Sequence, residues 1–84
     1  MEPGYHKRTI TKGQLGEASK IIEEAEEFAD AVDQGASIMA IMELSDICGA
    51  IDAYLAKHHP SITIIDLRIM SSITKRAFQN GHRH

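Results

Sequence analysis

Two short acidic motifs carry the chemistry legible in this chain: Glu23-Glu24-Ala25-Glu26-Glu27 and Glu43-Leu44-Ser45-Asp46. Residues three or four apart share a helix face. On helices, Glu24 with Glu27 and Glu43 with Asp46 are therefore two pairs of carboxylates, each pair pointing one way. A run of Glu on an amphipathic helix is most often a solvated face, and for the first motif alone that reading stands. The second motif is set in an otherwise apolar stretch, where an unpaired charge costs several kcal/mol and two like charges side by side cost more. Its compensation is either an ion pair with Lys20, Lys57 or Arg68, or a cation. Hard divalent ions with oxygen ligands suit such a group, and Mg²⁺ is the abundant one, with Mn²⁺ able to substitute.

Three elements are expected to position these groups. Residues 1–12 are polar, contain Pro3 and Gly4, and form a flexible or lead-in arm. From Gln14 to Gln34, Leu15, Ala18, Ile22, Ala25, Ala29 and Val32 recur at steps of three and four, widened by Ile21 and Phe28. That is the pattern of a core-facing amphipathic helix, and Gly35 stops it. A second helix runs from about Ala36 to His58, with Pro60 marking its end. Thr63 and Asp66 have capping-box spacing for a third, which continues through Leu67, Met70, Ile73 and Phe78 to Asn80-Gly81. The β-branched run from Ser61 to Ile65 also fits a strand, but no other segment offers it a partner.

With a turn at Gly35, Glu27 and Glu43 stand eight residues to either side of it, and Glu24 and Asp46 eleven. Equal offsets put the two pairs at matching heights on neighbouring antiparallel helices, so four carboxylates converge. The expected architecture is all-α: one domain over residues 1–84, an antiparallel bundle of three main helices. The second helix is apolar nearly all round, through Ile38, Met39, Ile41, Met42, Leu44, Ile47, Ile51, Tyr54 and Leu55. Too little chain remains to cover it, so homo-oligomerisation, as dimer or tetramer, is expected to complete the bundle.

Bulk properties narrow the class. Cys48 is alone, which excludes an internal disulfide and fits a reducing intracellular setting. A net charge of −3 argues against nucleic acid as partner. No apolar run reaches the roughly 20 residues a membrane span needs, and the first residues lack the apolar core of a signal peptide. A cytoplasmic protein, free of membrane, is expected.

Cations for an anionic substrate cluster near the C-terminus as Lys75, Arg76 and Arg83. Arg offers phosphate a planar fork and Lys a point charge. For Lys75 and Arg76, complementing the dipole at a helix C-terminus explains the pattern equally well; Arg83 lies beyond the Gly81 stop. The five histidines suggest no site, and neither His58 nor His59 forms the Glu-x-x-His pair of a di-iron bundle. The Met and Ile stripe of the second helix reads as core rather than as a base pocket.

The motif Glu-Glu-x-x-Glu, then 15 residues, then Glu-x-x-Asp resembles the all-α nucleotide pyrophosphohydrolases of the MazG-like family. The stretches GEASKIIEE, ELSDICGAI and TKRAFQNGHR are similar to short phage-encoded members, and the resemblance spans roughly Leu15 to Arg83. It implies Mg²⁺-dependent hydrolysis of a (deoxy)nucleoside triphosphate to the monophosphate and pyrophosphate, in a bacterial or phage-infected cell. It further implies Glu24, Glu27, Glu43 and Asp46 as metal ligands, with Glu23 an accessory ligand or an orienter of the attacking water, so that Glu23 and Glu24 are the catalytic pair. Lys75 and Arg83, with Arg76, would bind substrate. Short phage members imply a purine preference, dGTP or dATP. The alternatives are a dUTP- or phosphoribosyl-ATP-specific pyrophosphohydrolase and, from another class, a non-catalytic helical dimerisation module. The chain lacks the sequence for the full fourth helix of longer members, so a complete site would draw on a second subunit.

Overall fold

The computed structural model describes residues 6–79, with side chains from residue 6 to residue 75. It contains three helices, α1 (Ala18–Asp33), α2 (Ser37–His58) and α3 (Ile64–Gln79), and no strand among the described residues. The all-α expectation holds. The Asn80-Gly81 stop expected for α3 lies outside the described residues.

Helix α1 begins four residues later than its apolar spacing predicts, because Gln14–Glu17 close a turn. The Glu17 amide donates to the Gln14 carbonyl at 3.0 Å, and Gly16 sits at φ +91°. Lys57 and His58 at the end of α2 both reach Glu17, which pins the turn there.

The end of α1 matches expectation. Gly35, at φ +72°, donates to Val32 O at 2.9 Å, and the Ala36 amide donates to Ala31 O at 3.0 Å. This pair of bonds is the Schellman motif, which satisfies carbonyls the helix leaves open. A connection this short forces α2 back antiparallel to α1. Accordingly Gly16, just before α1, packs against Lys57, near the end of α2.

The predicted inward face of α1 is the main departure. Leu15, Ile22 and Val32 are exposed, Ile22 by 58%. The buried positions on α1 are Glu23, Glu24, Asp30 and Ala31, with Ile21, Phe28 and Ala29 half-buried. Ala31 is wholly buried. The buried hydrophobic set is only Ala31, Ala50 and Leu55 among the described residues.

Helix α3 starts with reciprocal bonds. The Thr63 amide donates to Asp66 Oδ2 at 2.8 Å, and the Asp66 amide donates to Thr63 Oγ1 at 3.3 Å. Asp thus serves in the capping box in place of the commoner Glu. Helix α3 packs on α2 and, among the described residues, makes no contact with α1. Ile38 and Ile41 on α2, and Ile65, Ile69, Met70 and Ile73 on α3, are exposed. None of the helices, among the described residues, is long and apolar enough to cross a membrane.

Candidate metal centre

The hairpin of α1 and α2 brings the two acidic motifs together. Carboxylate oxygens of Glu24, Glu43 and Asp46 lie within 4.8 Å of one another, as do those of Glu23, Glu24 and Glu27. Sharing Glu24, these groups make one acidic cluster of the five residues the sequence singles out. Glu23, Glu24 and Glu43 are buried, Glu27 is half-buried, and Asp46 faces solvent.

Each buried acid has its own electrostatic situation. Lys20, one turn before the motif, places Nζ 3.1 Å from Glu23 Oε1 and 3.0 Å from Glu24 Oε2. The hydrogen bond to Glu24, then that to Glu23, raises the Lys20 pKa against the effect of burial. Burial pushes the Glu23 carboxyl up, yet the Gly13 amide, donating at 2.9 Å, and the charges of Lys20 and Lys12 hold it below the ordinary value. Gly13 must be glycine for this: a Cβ there would stand 2.2 Å from the Ser19 carbonyl oxygen.

Glu43 and Glu27 behave oppositely. Burial, and then the neighbouring Asp46 charge, raises the Glu43 carboxyl. Burial and the charges of Glu24 and Glu23 raise Glu27, with His6 opposing. The pair-by-pair repulsion expected for convergent carboxylates is thus present on both helices.

The ion-pair compensation weighed for the second motif takes another form. Lys20 pairs within α1, and Lys57 pairs with Glu17. It is His6, from the N-terminal segment, that approaches Glu43, with Nε2 3.4 Å from Oε2. The same nitrogen lies 3.8 Å from Glu27 Oε1, and Nδ1 lies 2.8 Å from Asp30 Oδ2. Burial raises the Asp30 carboxyl, but hydrogen bonds from His6, the Lys7 amide and Gln34 outweigh it and leave the group below its ordinary value. Arg8 adds a contact to Asp30 at 3.4 Å and pairs with Asp33.

His6, Gly13 and Asp30 were not anticipated. Asp30 had a signal in the sequence, since Glu23, Glu27 and Asp30 follow at steps of four and three and share one side of α1. His6 and Gly13 had none, because their place depends on how the chain before α1 folds back.

The donor set fits a hard or borderline divalent cation. It is rich in carboxylate oxygen, it is drawn from two helices, and Glu24 Oε1 is buried with no hydrogen-bond partner. The proposed phosphate-binding cations stand differently. Lys75 lies exposed on α3 beside Leu67, Arg68, Ser71 and Ser72, and no hydrogen bond or ion pair among the described residues links it to the cluster. The side chain of Arg76 and the whole of Arg83 lie outside the described residues.

No family model matches the chain, and no curated protein or solved structure matches it either.

Proposed function

We propose that this chain is a divalent-cation-dependent nucleoside triphosphate pyrophosphohydrolase of the MazG-like kind. The observation that carries the reading is the convergence of Glu23, Glu24, Glu27, Glu43 and Asp46 from two antiparallel helices, with a buried oxygen of Glu24 left without a partner. Burying an acceptor unsatisfied costs about 1–3 kcal/mol, a cost that a bound cation would offset.

In this reading Glu24, Glu27, Glu43 and Asp46 hold Mg²⁺, with Mn²⁺ able to replace it. The bound cation supplies charge neutralisation on the phosphates and a lowered pKa for water. Glu23 is kept ionised by Gly13, Lys20 and Lys12, which suits a fixed acceptor that orients the attacking water. Water would add at the α-phosphorus and give a proton to a carboxylate of the cluster, while the bond to the α,β-bridging oxygen would break and pyrophosphate would leave with that electron pair. Lys75, Arg76 and Arg83 contact the phosphates from the same or a neighbouring subunit, and a purine deoxynucleotide such as dGTP or dATP is the preferred substrate.

Self-association belongs to this reading. The exposed apolar residues of α2 and α3 form more unpartnered surface than the three buried hydrophobic residues among those described can balance. A second copy, covering the Ile65, Ile69 and Ile73 side of α3, would bury it.

A second reading, the non-catalytic dimerisation module, draws on the ion pairs that Lys20 and His6 already make with the acids. A nucleotide panel with Mg²⁺, its products separated by ion-exchange chromatography, decides between them. The enzyme reading expects monophosphate and pyrophosphate from at least one deoxynucleotide, and none with chelator. A panel without divalent-dependent turnover favours the module.

A further inference from the structure

The N-terminal segment sends a nitrogen donor into a cluster otherwise made of oxygens. Its His6 side chain is 9% exposed, and it meets residues from both helices: Glu27 and Asp30 on α1, Glu43 on α2. Asp30 accepts from Nδ1 at 2.8 Å, and an ionised carboxylate can only accept, so Nδ1 carries the hydrogen. That fixes the ring with Nε2 towards Glu43 Oε2 and Glu27 Oε1, at 3.4 and 3.8 Å.

These spacings resemble those between atoms sharing one cation. With bonds of about 2.1 Å, ligand atoms stand about 3.0 Å apart in octahedral and about 3.4 Å apart in tetrahedral geometry. Metal-bound histidines almost always give their other ring N–H to a carboxylate or carbonyl, as His6 gives its own to Asp30. Independently, Glu24 Oε1 is buried without a hydrogen-bond partner, and Glu24 belongs to the groupings that contain Glu27 and Glu43.

We propose that His6 is a protein ligand of the divalent cation, binding through Nε2 beside Glu27 and Glu43, so that the centre favours Mn²⁺ over Mg²⁺. This rests on the reading of the carboxylates as a cation centre. Imidazole nitrogen suits first-row transition ions, whereas Mg²⁺ keeps to oxygen. Residue 6 therefore sets which metal the site selects, and the segment before α1 becomes part of the centre.

The test uses the full chain and two probes, Mn²⁺ and Mg²⁺, titrated calorimetrically into the wild type and His6→Gln. The Gln amide still donates to Asp30 and offers no imidazole nitrogen. The expected result is a Mn²⁺ affinity weakened roughly tenfold or more, with Mg²⁺ affected much less. Pulsed electron paramagnetic resonance of the wild-type Mn²⁺ complex should show ¹⁴N coupling, absent from His6→Gln. That spectrum needs only the wild type to fold. Mn²⁺ binding without nitrogen coupling overturns the role of His6 and leaves the carboxylate centre standing. So does an equal loss for both ions, or tighter binding in His6→Gln, which would make the ring a displaced stand-in for the cation. A wild type that binds neither ion overturns the carboxylate centre itself, and His6 with it.

Discussion

Glu27 and Glu43 stand eight residues before and after Gly35, and they meet across the α1–α2 hairpin within reach of the same His6 nitrogen. Both carboxyls are raised by burial and by neighbouring acids. A divalent cation turns that repulsion into attraction, and binding to the folded state alone adds about 2.7 kcal/mol at a hundredfold excess over Kd. Mg²⁺ or Mn²⁺ is therefore expected to raise Tm in a thermal melt. Glu43→Gln should abolish pyrophosphate release while leaving the metal-free protein as stable as wild type or more so. Glu26→Gln, on the exposed side of α1, should do neither. A Glu43→Gln protein that melts lower without metal and still hydrolyses nucleotides would sink the centre.

The same two groups set a pH dependence. A carboxyl whose folded pKa is raised contributes stability below its unfolded value and loses it as the pH rises through the folded value. For Glu27 and Glu43 the ordinary value is 4.5, so the metal-free protein should lose stability as the pH climbs above it. Asp30 and Glu23 are lowered, so their contribution is present above their ordinary values of 3.8 and 4.5 and vanishes as the pH falls through the folded ones. Melting curves without metal should thus peak at mildly acidic pH. Glu43→Gln should flatten the alkaline limb, and an unchanged limb would remove Glu43 as its source.

Gly13 and Gly35 should respond differently to alanine. At Gly35 nothing lies within 4 Å of an added Cβ, so only the left-handed φ is penalised, by about 1–2 kcal/mol. At Gly13 the added carbon meets the Ser19 carbonyl, and the segment must move off α1, taking its amide from Glu23. Gly35→Ala should lower stability and keep metal affinity, whereas Gly13→Ala should weaken metal binding as well. Calorimetric titration beside chemical denaturation separates the two effects.

Sedimentation at micromolar concentration should show dimers or larger species without a monomer boundary. Ile65→Glu together with Ile69→Glu, on the exposed side of α3, should shift the protein towards monomer. A well-folded wild-type monomer of about 9.3 kDa would defeat the shared-site part of the proposal.

The sequence by itself determined the three helices and their order. The signals involved are local: apolar steps of three and four, the φ of Gly35, and the Thr63–Asp66 cap, all satisfied within about one helical turn. It also determined that Glu27 and Glu43 meet, because a tight turn converts equal offsets into equal heights. Only the tertiary structure decided which side of α1 turns inward. The periodicity of Ile22 and Val32 points one way, whereas in the fold those two are exposed and Glu23, Glu24, Asp30 and Ala31 are buried. It also decided that His6 and the Gly13 amide reach the cluster. These contacts join residues 37 and 10 positions apart in the chain, His6 with Glu43 and Gly13 with Glu23, through a segment without helical periodicity. Nothing local fixes such a path, and the His6 contact to Glu43 exists only once α2 has packed on α1.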